Sequence, residues 1–289
     1  MVKPPNVPIE SASKSSRISA QRAWRRRAKR YLYVLLPVIG LAVLLAQPRW
    51  LFTVLSRVMP GATYALTLPK SPDPIKVVAL TIDDGPSTAT GDILAVLHQY
   101  NVKATFFNIS GHVVSESAAV IEQMVRDGHE LGNHLTADEP SIRMTPDEFE
   151  ADLLAAEQTF LPYLQGDLDE LNSPQAERPG QLRWLRPGMG WYNTEMVNIA
   201  HRHGYRLVLG SVFPYDTHVP FSWFATAFIL HTVRSGDVIV LHDGDSVNGQ
   251  KGRGQRTVAT LKVVIPRLKA QGYTITSLSE MLEMAEMTE

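Results

Sequence analysis

Between residues 75 and 280 the chain alternates short, β-branched apolar runs with longer segments in which apolar side chains recur every three or four positions. The runs are KVVALTI (76–82), KATFFNI (103–109), HELGN (129–133), LRWLR (182–186), YRLVLGSV (205–212), DVIVLH (237–242) and YTITSL (273–278). Turn or capping residues bound each of them, so they read as strands. The segments between them, 91–100, 115–127, 146–164, 194–203, 222–233 and 255–270, carry helical periodicity. Seven strands alternating with six helices predict parallel strands joined by crossovers. Runs as continuous as VVALTI and DVIVLH suit strands covered on both faces. An open, doubly wound sheet and a closed (β/α) barrel both satisfy this pattern. One stretch breaks the rhythm: the acidic GDLDELNSPQAERPGQ (166–181), whose composition predicts a surface loop.

The pattern changes upstream of residue 60. Residues 1–20 are rich in Pro, Ser and Lys and predict a disordered tail. Arg22, Arg25, Arg26, Arg27, Lys29 and Arg30 then abut an uncharged run, YLYVLLPVIGLAVLLA (31–46). At 1.5 Å per residue a helix of this length covers roughly 24 Å, slightly less than a hydrocarbon core of ~30 Å. Tyr31, Tyr33 and Trp50 are placed to sit at the interfaces, and WLFTVL extends or follows the span. A buried core helix and a nucleic-acid-binding arm fit less well, because the arginine cluster directly precedes an apolar run. A cleavable signal peptide is the nearer rival, but no small-x-small cleavage site clearly follows. The expected plan is a basic cytoplasmic tail (1–30), an uncleaved signal-anchor helix (31–55), a linker (56–74) and one catalytic domain (75–289). Positive-inside orientation makes the protein a single-pass membrane protein with the domain outside the cytoplasm, or a secreted one if the anchor is cleaved.

Composition sharpens this. With 44% hydrophobic residues the chain can bury a real core, which excludes global disorder and fibrous classes. The absence of cysteine excludes disulfides, thiolate metal sites, iron–sulfur clusters and cysteine nucleophiles. A net charge of −1 averages two segments of opposite sign: +8 over residues 1–30 and −9 over the rest.

The reactive residues gather at the C-terminal ends of the predicted strands. Asp83 and Asp84 end the first, followed by a Gly85-Pro86 turn. His134 follows the third, with Asp138 four residues on. Arg186 ends the fourth; Asp216 and His218 follow the fifth; His242 and Asp243 end the sixth. In parallel barrels that rim is where βα loops converge on a site. His134, Asp138 and one first-strand carboxylate supply N and O ligands for a divalent cation such as zinc. The other aspartate then remains free as a base. His98, His129, His201, His203 and His231 lie within or beside predicted elements and read as structural, whereas His112 and His218 fall in rim loops.

Taken in order, T-I-D-D-G-P (81–86), G-N-H-x-x-x-D (132–138), R-P-G (186–188), the Asp216 segment and V-L-H-D (240–243) resemble the five motifs of the polysaccharide deacetylases. This is carbohydrate esterase family four, the nodulation-type deacetylase domain, and the resemblance covers about residues 75–280. It implies a distorted (β/α)7 barrel and metal-dependent hydrolysis of N-acetyl, sometimes O-acetyl, groups on a glycan. By position, Asp83 resembles the general base acting on the attacking water, and Arg186 the arginine that holds it. His242 resembles the general acid that protonates the departing amine, and Asp216 the acid that orients it. Asp84 and His134 resemble metal ligands, and Asp138 stands where the family has a second histidine. Zinc is the implied cation and an acetylated glycan the implied partner, with no nucleic acid and no protein partner.

Departures fall on the groove lining. Met189, Gly190, Trp191 and Tyr192 follow the third motif in place of a proline and an aromatic residue, and FPYDTHVP (213–220) lacks the usual tryptophan of the fourth. Trp191, Tyr192, Phe213 and Tyr215 are candidates for stacking on sugar rings, with barrel packing as the competing role for each. Beyond N-deacetylation, two readings stay open: an O-acetyl esterase, and an inactive glycan-binding module displayed on the membrane.

Overall fold

The computed structural model describes residues 33, 35–43, 45–69, 75–165, 182–245 and 251–286. The tail expected at 1–30, the loop expected at 166–181, residues 70–74 of the linker and residues 31, 32, 34 and 44 of the expected anchor lie outside the described residues. The chain divides into two compact units, 1–51 and 52–289. In the first, residues 35–43 and 45–46 are helical, and Leu35, Leu36, Val38, Ile39, Leu41 and Leu45 are exposed. Among the described residues no helix is long and apolar enough to cross a membrane. Helix α1 (Arg49–Val58) follows.

The second unit runs β1 (Ala62–Thr63), β2 (Val77–Gly85), α2 (Thr90–Gln99), β3 (Thr105–Asn108), α3 (Ser115–Arg126), β4 (Glu130–Asn133), α4 (Pro146–Gln165), β5 (Trp184–Leu185), α5 (Thr194–Arg202), β6 (Arg206–Val208), α6 (Ser222–Thr232), β7 (Val238–His242), α7 (Arg253–Ala270), β8 (Thr274–Thr276) and α8 (Leu278–Glu286). The named strands pair in parallel in the order β1-β6-β5-β4-β3-β2-β7, with β8 also on β2. The sheet curls. Just beyond β6, the amides of Ser211 and Val212 donate to the Val238 carbonyl, and Val240 donates back to Val212. The result is a curled parallel half-barrel, consistent with a distorted (β/α)7 barrel.

All nine residues of β2 are buried, which explains why its sequence shows no polar face. Period-two alternation divides them. Val78, Leu80 and Ile82 pack with Ile93, Leu94 and Leu97 of α2 in the larger core. Val77 and Ala79 join Phe107, Trp184, Val208 and Val238, plugged by Leu278 and Met281 of α8. The same alternation puts Thr81 and Asp83 on the second face, so the apolar column ends in a hydroxyl and a carboxylate at the C-terminal rim.

Three elements depart from expectation. β1 lies inside the stretch expected to be linker; two residues are too few to show a period. β6 stops at Val208 rather than 212, because Gly210 (φ 97°) bends the chain out of the strand. Helix α8 follows β8 directly and was not foreseen as an element.

Candidate active site

The site starts from a distortion of β2. Asp83 is in register with Phe107 of β3 and with His242 of β7. The register then slips between Asp83 and Gly85, and Asp84 adopts φ 66°, in the left-handed region. For a residue other than glycine that costs on the order of 1–3 kcal/mol. The consequence is chemical: adjacent carboxylates turn to different partners. Surrounding contacts over-determine the bulge. The His112 Nδ1 donates to the Asp84 carbonyl (3.1 Å), and the amides of Ile109 and Asp243 bind the carbonyls of Gly85 and Asp83. Gly244 passes so close that a Cβ there would lie 2.2 Å from the Asp84 carbonyl oxygen. That contact requires glycine in H-D-G.

Asp83 pairs with Arg186, whose Nη1 donates to Oδ1 at 2.5 Å and to the Thr81 hydroxyl at 2.8 Å. The Arg186 Nε donates to the Val208 carbonyl (3.1 Å), and its guanidinium lies 4.2 Å from the Phe107 ring centroid. Asp83 and Arg186 are both buried, so this ion pair is weakly screened and geometrically fixed.

His134 and Asp84 form a second group. The His134 Nδ1 lies 2.6 Å from the Arg186 carbonyl, which can only accept, so Nδ1 carries a proton. Nε2 faces Asp84 Oδ1 at 3.2 Å. Neutral His134 and ionised Asp84 therefore present two lone pairs to one point, which a proton or a metal cation can bridge. Burial alone would disfavour both charges. The hydrogen bond from His134 and the positive charges of His242, His134 and Arg253 nevertheless hold the Asp84 carboxyl far below its usual range. Burial also opposes protonation of His134, yet Asp84, Asp83 and the Arg186 carbonyl raise its pKa.

The third group is His242 with Asp216. The carboxylate accepts from the His242 backbone amide (2.9 Å) and from Nδ1 (3.0 Å), fixing Nε2 as the outward nitrogen. Burial pushes the imidazole pKa down; Asp216, by charge and hydrogen bond, with Asp84 and Asp83 behind it, pushes it up to about 9.

Other predicted residues are placed differently. Asp138 is half-buried, and burial together with the charge of Asp84 raises its carboxyl pKa against the opposing pull of His134, Arg253 and His242. It is thus within electrostatic reach of the pair, but among the described residues no three His, Asp or Glu side chains are grouped closely enough to hold a metal ion. Trp191 is 57% exposed. Tyr192 corrects the expectation of a sugar contact: it is buried in the core, and its hydroxyl donates to the Met59 carbonyl (2.6 Å). Tyr215 (φ 58°) is half-buried between Phe213 and Phe228, and Phe213 packs edge-on against His242.

One charged residue was missed. Arg253, the first residue of α7, is buried and donates from Nη1 to Asp84 Oδ2 at 2.6 Å. No local pattern marks it, because its partner is 169 positions away. A glycine-flanked arginine entering a helix is the only trace. Asp243 is also placed structurally: it accepts from the Ser87 and Thr90 hydroxyls and so ties the turn after β2 to β7.

Residues 70–208 match the sequence profile of the family described as "Polysaccharide deacetylase". The peptidoglycan-N-acetylglucosamine deacetylase of Bacillus cereus is 31% identical over 214 residues, 73% of this chain and 90% of that protein. The chitooligosaccharide deacetylase of Azorhizobium caulinodans is 31% identical over 204 residues, 68% of this chain and 90% of the other. Among solved structures, a family 4 acetyl xylan esterase from Clostridium thermocellum, in complex with a cobalt ion, superposes with a TM-score of 0.60 at 28% identity. That match covers 72% of this chain and 91% of the esterase. The shared barrel, the motif order and near full-length coverage of these relatives agree: the chain belongs to the polysaccharide deacetylase family.

Proposed function

We propose that the protein is a metal-dependent hydrolase that removes N-acetyl groups from a glycan containing N-acetylglucosamine, of the chitooligosaccharide or peptidoglycan type. The observation that carries this reading is the register of β2 and β7. Asp83 and His242 are Cα partners on adjacent parallel strands at the same rim, and each has its own orienting group, Arg186 and Asp216. A base and an acid held side by side with separate supports suit a reaction that takes a proton at one atom and returns one at another.

The residues fit a divalent cation. Asp84 Oδ1 and His134 Nε2 converge at 3.2 Å and would hold it, an O,N pair that suits zinc or a harder cation. Asp138, in the loop after β4, is the proposed third donor and would have to close on that pair, because among the described residues no group of three is formed. When bound, the cation polarises the acetyl carbonyl and makes water more acidic. The protein's own part follows from its geometry. Arg186 occupies Asp83 Oδ1, and Oδ2 takes the proton of the attacking water. Asp216 holds Nδ1 of His242, so the proton on Nε2 goes to the departing nitrogen. An amine is a poor leaving group without that acid, which favours an amide over an ester substrate. Trp191 is the proposed stacking residue for a sugar ring, supported by its exposure just past the Arg186 turn.

The same reading puts the catalytic domain (75–289) outside the cytoplasm. It is held by residues 31–55 behind the basic segment 1–30, with residues 56–74 as the join. Its support is the arginine cluster abutting an uncharged run. N-terminal sequencing of the mature protein together with protease accessibility in intact cells tests it. For the chemistry, acetate release by the zinc-supplied protein is compared on N-acetylchitooligosaccharides, peptidoglycan and acetylated xylan. Release from the first or second is expected; release from xylan alone would convert the reading to an O-acetyl esterase, and glycan binding without release to a binding module.

A further inference from the structure

We infer that Arg253 is a built-in counter-ion of the proposed metal site, holding Asp84 in the metal-free protein and competing with the cation for it. This rests on the metal reading above and goes beyond it, because the Arg253–Asp84 ion pair is present without a cation. The Asp84 carboxylate is divided: Oδ1 faces His134 at 3.2 Å, and Oδ2 accepts from Arg253 at 2.6 Å. Both members of the ion pair are buried.

The guanidinium does not arrive there by chance of a long, mobile side chain. Arg253 opens α7, and its backbone amide and that of Gly252 donate to the Asp245 carboxylate at 2.8 and 3.0 Å. That clasp fixes the Cα from which the side chain reaches β2. Its Nε is buried with no hydrogen-bond partner among the described residues. A buried N–H left unsatisfied is a cost, and it is sustained by the contact that Nη1 makes.

Charge gives the contact its purpose. Asp83, Asp84 and Asp216 bring three buried carboxylates to the rim, with Asp138 half-buried in the loop after β4. Arg186 is committed to Asp83. Arg253 brings a second fixed positive charge, 2.6 Å from Asp84 Oδ2. A divalent cation at Asp84 and His134 would sit beside that guanidinium, and like charges at such range repel strongly in a buried site. Arg253 thus stabilises the metal-free state and lowers affinity for the metal. Binding of the cation and the Arg253–Asp84 bond are linked with opposite sign.

The test uses the full chain, purified metal-free, with Arg253→Gln and Arg253→Lys beside the wild type. Zinc and cobalt affinities are measured by calorimetry, and melting temperatures with and without each metal. The inference expects R253Q to melt lower than wild type when metal-free, because a buried carboxylate has lost its partner. It expects R253Q to bind either metal at least about tenfold more tightly and to gain more melting temperature from it. R253K keeps the charge and stays within about threefold of wild type. Unchanged or weaker metal binding by R253Q overturns the inference while leaving the metal reading intact. A wild type that binds neither metal overturns both. If R253Q folds under neither condition, Asp245→Asn, which loosens the clasp that positions Arg253, takes its place: tighter metal binding supports the competition and unchanged binding overturns it.

Discussion

The change Asp216→Asn isolates what the carboxylate does for the proposed acid. Asparagine keeps the size and still accepts the His242 backbone amide through its oxygen, so the loop after β6 retains its attachment to β7. What it loses is the charge beside Nδ1, the foremost influence raising the His242 pKa to about 9 against the opposing effect of burial. Without that charge, burial pulls the imidazole pKa down, opposed only by Asp84 and Asp83. Each unit by which the pKa falls below the working pH costs about tenfold in protonated acid. Acetate release as a function of pH is the assay. General acid catalysis needs the protonated ring, so activity declines as pH rises through this pKa. The variant's alkaline limb should lie at lower pH than the wild type's, and in the metal-free protein the His242 ring, about 9 in the wild type, should titrate lower by NMR. An alkaline limb and a ring titration that do not move in the variant would refute the assignment of Asp216 as the source of the shift.

Three further outcomes follow from the same geometry. Asp83→Asn preserves the contact with Arg186 but cannot take a proton, so acetate release should drop by about 10²- to 10⁴-fold with metal affinity retained; retained activity removes Asp83 as base. Asp138→Ala should weaken zinc binding by at least about tenfold, and an unchanged calorimetric affinity would place the third donor elsewhere. In the metal-free protein, His242 has a folded pKa raised from 6.5 to about 9, so its contribution to stability is full below about pH 6.5 and is lost as pH rises through 9. That contribution is on the order of 3 kcal/mol. Denaturation of wild type and His242→Gln at pH 6 and pH 9.5 should show the gap closing at the higher pH; a constant gap contradicts the linkage.

The barrel was legible where the sequence repeats a physical requirement. β2 and β7 are buried on both faces and read as unbroken apolar runs, and the turn residues after them mark the rim. Strand-end positions put Asp83, Arg186, Asp216 and His242 on one rim; which of them pair was legible only through the resemblance of the motif order to the deacetylases. β1 was not, because two half-buried residues carry no period. Tyr192 was misassigned because spacing places a residue next to a motif without saying which way its ring turns; here it turns inward to Met59. Arg253 escaped for a different reason. An ion pair between residues 169 positions apart depends on how α7 enters the barrel, and nothing local to either residue encodes the meeting.

Metal-dependent N-deacetylation with Asp83 and His242 as proton carriers stands or falls on removal and return of the cation. Acetate release from an N-acetylchitooligosaccharide is followed on the full chain after chelation, and again after zinc is restored. Release should be abolished by the chelator and recovered with zinc. Undiminished release from the chelated protein, or none from either form on this substrate or on peptidoglycan, would overturn the assignment.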